Sequence, residues 1–331
     1  MKKLIALLLV LFLIVGLAAC GGSTPDPTPA PPADTPPADT PADPPADGGD
    51  LRIGLSMGER DEWLTYLENG IVARAAEVGV ELVAQDAQRD INRQLDHIQT
   101  FAAQGFDAII VCLVDPAFSD ALVEAGDGLP VIFVNRIPQA HVLEFDNVSF
   151  SGSDETEAGG FQAQYLSELF AGETELDYVL FMGIIGHPAT TYRTSSFREG
   201  MEAAGFTLNN VFADSANFDR AEALNRMQQF LGTGIHFDFV VSNNDEMALG
   251  VIEALRAVDM LDIPVVGIDG SPHAVASILA GEMNASVFQN AAAQGATALD
   301  LAVAMARGES VQSINMVPFE LVTSANAAQY Q

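Results

Sequence analysis

Short apolar runs alternate with amphipathic stretches along almost the whole chain beyond residue 50. Ile53-Gly54-Leu55 reads as a first strand, a helix follows through about Trp63 to Glu77, and Val80 to Ala84 reads as the next strand. Ile91, Leu95, Ile98 and Phe101 recur at steps of three and four, so they share one helix face, and Gly105 closes that helix. Ala108 to Leu113 and Val131 to Val134 follow as strands. The second half repeats the rhythm, with strands at Tyr178 to Met182, Phe237 to Val241 and Val265 to Ile268. One helix there ends near Gly205, and the helix carrying Leu224, Met227 and Phe230 ends before Gly232. Strand-helix alternation requires parallel sheets covered on both faces, and two successive sets predict an α/β fold with two doubly wound lobes.

The first fifty residues break this rhythm. Met1-Lys2-Lys3 is basic, Leu4 to Leu17 is apolar and uncharged, and Leu17-Ala18-Ala19-Cys20 follows. A core of that length suits a signal peptide better than a bilayer span. Small residues before a cysteine match the cleavage box of bacterial lipoproteins, so Cys20 is expected to be acylated and to become the new N-terminus. An ordinary signal peptide, or a membrane anchor with an incidental cysteine, is the alternative. Residues 21–50 are rich in Pro, Ala and Asp and carry no large apolar side chain. They are expected to form a disordered, extended tether with a reach of at most ~90 Å.

Charge and cysteine content narrow the classes. The formal charge is −31, which argues against nucleic acid, whose phosphates need a basic patch. It equally argues against anionic lipid held through a basic face. Cys112, within the apolar run Ala108 to Leu113, reads as a buried free thiol, and no disulfide framework or cysteine-rich metal site is available.

In open α/β sheets ligands sit beyond the carboxyl ends of the strands. Those positions carry Asp61, Glu62 and Trp63, then Asn135 and Arg136, then His187 with Arg193 one turn on, then Asn217-Phe218-Asp219, Asn243-Asn244-Asp245 and Asp269. Carboxylates, amides and guanidinium groups can bridge neighbouring hydroxyls, and aromatic faces pack on the C–H faces of a sugar ring. Each has a plainer alternative: Asp245 and Asp269 equally suit helix caps, Trp63 equally suits a core, and Asn135-Arg136 equally suits a surface pair. Convergence of the set favours a small polyol.

Those segments also carry a family pattern. Leu113-Val114-Asp115-Pro116-Ala117, Phe133-Val134-Asn135-Arg136, Gly183 to Arg193, Asn217-Phe218-Asp219-Arg220, Asn243 to Gly250 and Gly267-Ile268-Asp269-Gly270 resemble bacterial sugar-binding proteins of the ribose and galactose/glucose group. Members are extracytoplasmic receptors of ABC importers with the type I periplasmic binding protein fold, two lobes joined by a multi-strand hinge. The resemblance implies an N-terminal lobe from 51–152 and 289–316, a C-terminal lobe from 153–288 and 317–331, and crossings near Gly152, Gln289 and Val317. It implies ligand contacts from Asp61 or Glu62, Trp63, Asn135, Arg136, His187, Arg193, Phe218, Asn244, Asp269 and Gln289, with Trp63 and Phe218 sandwiching the ring. Ala189 stands where the galactose/glucose type has a carboxylate, and the segment Gly172 to Leu176 is too short for that type's calcium loop, so no metal or cofactor is expected. The C-terminal run, with Val287-Phe288-Gln289-Asn290, Ala306 to Glu309 and Pro318 to Thr323, looks closer to inositol- and rhizopine-type receptors. A monosaccharide or cyclitol, bound by a monomer and presented to a permease, is the implied function; a receptor that feeds a chemoreceptor or sensor kinase without transport is the alternative.

Two other classes fare worse. No Gly-x-Ser-x-Gly elbow or phosphate-binding glycine loop occurs, and the histidines are too scattered for a metal motif. Asp61, Glu62 and Asp269 as a glycosidase pair is the remaining enzymatic option. A repressor of similar core would begin with a helix-turn-helix, whereas this chain begins with a secretion signal.

Overall fold

The computed structural model describes residues 51–331; Cys20, the signal-like segment and the proline-rich stretch lie outside the described residues. Twelve strands and nine α-helices alternate among the described residues. The first sheet contains β1 (Arg52–Met57), β2 (Glu81–Asp86), β3 (Ala108–Val111), β4 (Val131–Val134) and β5 (Val148–Gly152). The second contains β6 (Glu175–Met182), β7 (Thr207–Ser215), β8 (Phe239–Ser242), β9 (Val265–Asp269) and β10 (Ala285–Gln289). Two short strands complete them, β11 (Ile314–Met316) on the first and β12 (Phe319–Thr323) on the second.

Both sheets repeat one order. The first runs β11-β5-β4-β3-β1-β2 and the second β12-β10-β9-β8-β6-β7, so each has its topological switch where its first strand separates the second from the third. Neighbours are parallel, except that β12 pairs antiparallel with β10. That edge strand follows β11, which belongs to the other sheet, after only two residues.

The helices are α1 (Glu62–Val78), α2 (Ile91–Ala103), α3 (Ser119–Ala125), α4 (Glu155–Leu169), α5 (Pro188–Ala203), α6 (Arg220–Leu231), α7 (Asp245–Arg256), α8 (Pro272–Leu279) and α9 (Ala291–Ala306). They cover both faces of each sheet, because strand residues alternate sides. Ile110 and Ile132 pack with α1 and α9, whereas Ile109, Val111 and Phe133 pack with α2 and α3. In the second sheet Val179, Phe181 and Val240 face one cluster, and Tyr178, Leu180, Phe239 and Val241 face the other.

The chain passes between the sheets three times: after β5, after β10 and between β11 and β12. Polar bonds tie these passages together. Val317 N–H donates to Gly152 O (2.7 Å), Ser153 Oγ donates to Val317 O (2.6 Å) and Gln294 Nε2 donates to Ser153 Oγ (2.8 Å).

Some elements differ from the pattern-based expectation. The strand expected over Ala108 to Leu113 ends at Val111. The next two carbonyls leave the ladder, Cys112 O accepting from Gln94 Nε2 (2.9 Å) and Leu113 O from Arg136 Nη1 (2.7 Å). β5 went unpredicted: it buries Val148 and Phe150 in the core on one face and Ser149 and Ser151 on the other, where they donate to Gln312 O and Gln294 O. Cys112 is a buried free thiol.

Candidate functional site

The carboxyl ends of both sheets open on one cavity of about 430 Å³. Its walls come from the two lobes alike, and Asp61, Glu62, Trp63, Asn135, Arg136, His187, Arg193, Phe218, Asn244, Asp269 and Gln289 all line it. Local backbone geometry delivers several of them. Five non-glycine residues of the lining hold positive φ: Arg89 (63°), Asn135 (64°), Asn217 (54°), Phe218 (64°) and Asp269 (130°). Such conformations cost free energy and persist where surrounding structure over-determines them.

Arg193 organises the second lobe's side. It is 4% exposed, and its five N–H groups all have protein partners. Nε and Nη2 donate to the two oxygens of Glu155 (2.6 and 3.0 Å). Nη1 reaches Asn243 O (2.8 Å) and Asp269 Oδ1 (3.4 Å), and Nη2 also reaches Gln289 Oε1 (3.2 Å). Gln289 Nε2 closes the ring by donating to Glu155 Oε1 (3.2 Å). Arg193 therefore acts here as a clamp on two acids and an amide, with its charge reinforced by them. Glu155 escaped sequence reading because the helix it opens has a weak apolar face, diluted by Gly159, Gly160 and several polar residues.

Asp269 sits beneath this clamp. Burial holds its carboxyl well above the usual range, and Arg193 only partly opposes that. It caps no helix, and neither does Asp245: Asn244 caps α7 and Ser271 caps α8. Asp245, fully buried, instead accepts from Ser271 N–H (2.8 Å) and Ser286 Oγ (2.6 Å), while Ser286 Oγ accepts from Gly270 N–H (3.0 Å). These bonds fix the turn that turns Asp269 into the cavity.

On the first lobe, Arg136 donates to Glu59 Oε1 (2.6 Å), and Arg89 donates to the other oxygen of Glu59. Burial pushes the Glu59 carboxyl up, but the two guanidinium partners outweigh it and lower it overall. Glu59 lines the cavity and was missed in the sequence; its place just beyond β1 is the signal that could have found it. Arg136 Nε and His187 Nε2 are buried without a protein partner. Ala189 N–H donates to His187 Nδ1 (3.2 Å), which leaves the ring proton on Nε2. Burial, then the charges of Arg136 and Arg193, push His187 down to about 3, so the ring is a neutral donor.

The neighbouring acids Asp61 and Glu62 separate clearly. Asp61 caps α1 through Leu64 N–H (2.7 Å) and lines the cavity, where its charge bears on Arg136 and Asp269. Glu62 turns to the rim, where Tyr66 Oη donates to its Oε1 and His273 Nδ1 meets the same oxygen, both at 3.0 Å. Trp63 lines the cavity from the first lobe and also rests on that lobe's core. Phe218 faces the cavity from the second, its ring seated over Gly183 and edge-on to His187 (5.6 Å). Asn244 holds Phe218 by donating Nδ2–H to its carbonyl (3.3 Å).

The sequence profile of the periplasmic binding protein domain matches residues 53–310. The chain belongs to that family. A putative rhizopine-binding protein of Rhizobium meliloti is 36% identical over 288 residues, covering 84% of this chain and 92% of its own length. The ribose import binding protein of Bacillus subtilis is 30% identical over 288 residues, covering 84% and 90%. An ABC transporter solute-binding protein from Bacillus halodurans, solved with bound myo-inositol, superposes with a TM-score of 0.78 at 36% identity, covering 86% of this chain and 98% of that one. This periplasmic binding protein thus has the type I fold of two α/β lobes, and it is a solute-binding protein of the transporter kind, not an enzyme. The family works outside the cytoplasm, and among the described residues no helix is long and apolar enough to cross a membrane.

Proposed function

We propose that this protein captures a cyclitol or closely related monosaccharide by closing its two lobes, and delivers it to an ABC permease while tethered to the membrane through acylated Cys20. One observation carries the reading: donors and acceptors with capacity to spare converge on one cavity from both lobes. Arg136 Nε and His187 Nε2 supply unpartnered donors, and Asp61 and Asp269 supply acceptors from opposite walls. Asn135 can do both. Trp63 and Phe218 supply apolar faces between them. An uncharged ring bearing hydroxyls all round satisfies such a set, since every hydroxyl donates once and accepts twice. The solved relative that holds myo-inositol supports the cyclitol class.

Each charge-assisted hydrogen bond contributes about 1.5–3 kcal/mol, so a few of them with ring stacking reach the ~8 kcal/mol of micromolar binding after ordering costs. Calorimetry with myo-inositol, D-ribose and D-galactose tests the proposal. Asp269→Asn, chosen as the isosteric amide, should weaken myo-inositol binding by about ten- to a hundredfold, the loss of one such bond. Its thermal midpoint should not fall, because a buried carboxylate is removed. Failure of all three solutes to bind the native protein would overturn the reading.

A further inference from the structure

The rim contact of Glu62 joins the two lobes without help from anything in the cavity. Glu62 opens α1 in the first lobe, whereas Glu246 and His273 stand in the first turns of α7 and α8 in the second. One side-chain nitrogen or oxygen from each of the three residues lies within 4.8 Å of the others. Glu62 Oε1 meets His273 Nδ1 at 3.0 Å across 211 residues of sequence, and the same oxygen accepts from Tyr66 Oη. Facing carboxylates in a chain of net charge −31 repel one another and so push the lobes apart. A proton shared between them turns that repulsion into a hydrogen bond.

We propose that Glu62, Glu246 and His273 form a proton-operated latch across the mouth of the cleft, favouring the closed form as the surroundings acidify. It rests on the reading above only in taking closure to be a motion of the two lobes. The charged groups around the latch agree on its sign. Arg220, on α6, donates to both oxygens of Glu246 (2.9 and 2.7 Å) and lies 3.7 Å from Glu253; it stays cationic throughout and only offsets part of the repulsion. Burial, and then the approach of Glu62 against the opposing pull of Arg220, hold Glu246 above the ordinary carboxylate range. Burial pushes Glu62 up, but its bonds to Glu246, Tyr66 and His273 win and lower it. Opening would remove Glu62 from Glu246, so the closed form binds the proton more tightly. Closure gained in this way is present at acid pH and lost as pH rises through the raised value of Glu246.

The test reads lobe separation in the full chain with no solute added and with EDTA present, which removes divalent cations as a cause. Donor and acceptor dyes placed by unnatural amino acids at positions 72 and 258, both exposed and on different lobes, report the distance by energy transfer. The closed fraction should rise severalfold between pH 8 and pH 5.5. Glu246→Gln, which keeps the hydrogen bond and removes the charge, should show a high closed fraction at both pH values. Glu62→Ala and His273→Ala should flatten or weaken the response. An unchanged closed fraction in the native protein, or a full response retained in Glu62→Ala, would overturn the latch. Calorimetry with myo-inositol on the same samples separates the two readings: binding without a pH-dependent distance removes the latch alone, and a pH-dependent distance without binding removes the cyclitol alone.

Discussion

At the scale of single residues, the site is built from groups whose ionisation the fold has set in advance. His187 is the clearest: pushed down to about 3, it stays neutral in the folded protein through the physiological range and donates from Nε2. The unfolded chain binds a proton at this ring below ~6.5, which the folded chain refuses until about 3. His187 therefore destabilises the fold progressively as pH falls through that window. Asp245 works in the other direction, since burial pushes it up to about 6, and its contribution is lost as pH rises through that value. Glutamine at position 187 removes the first effect and leaves the second. We expect the unfolding midpoint of His187→Gln to drop less than that of the native protein between pH 7 and pH 4.5, as chemical denaturation would show; equal drops would mean that the ring titrates freely.

At the scale of elements, loops placed at strand ends do the positioning, and close packing leaves them little room. The turn at Asn217-Phe218 lies against the end of β6, where a Cβ on Gly183 would stand 2.0 Å from the Phe218 ring. Gly183→Ala must displace that ring or the strand, at a cost of roughly 1–3 kcal/mol. Its thermal midpoint should fall and myo-inositol binding should weaken. Adding Phe218→Leu should restore the midpoint without restoring binding, because the smaller side chain relieves the clash but offers no aromatic face. Recovery of both would show that Phe218 only fills space. The elements carrying these loops were largely legible: β1, β3, β4, β6, β8 and β9 coincide with apolar runs, and α2 with a face of period 3.6. α4, with few large apolar residues, and β5, with buried serines, were not, because polar side chains that bond across the fold look locally like loop.

At the scale of the whole molecule, three chain passages joined through Ser153, Gln294 and Val317 let two similar lobes share one cavity. Trp63 is the chain's single tryptophan and stands on the wall that closure would bring against the opposite lobe. Its emission should change on adding myo-inositol, with a midpoint matching the calorimetric affinity. Binding by calorimetry with a flat Trp63 signal would place the solute elsewhere.

The strand-helix alternation, the family and several of the lining residues followed from the sequence, because strand-end positions in a parallel sheet are fixed by where apolar runs stop. Pairing was decided only in three dimensions. That Arg193 spends its donors on Glu155, Asp269 and Gln289, that Asp245 fixes a turn instead of capping a helix, and that Glu62 meets His273 depend on residues far apart in the chain. Local pattern records which face a side chain takes; the partner waiting there is set by how distant segments pack against one another.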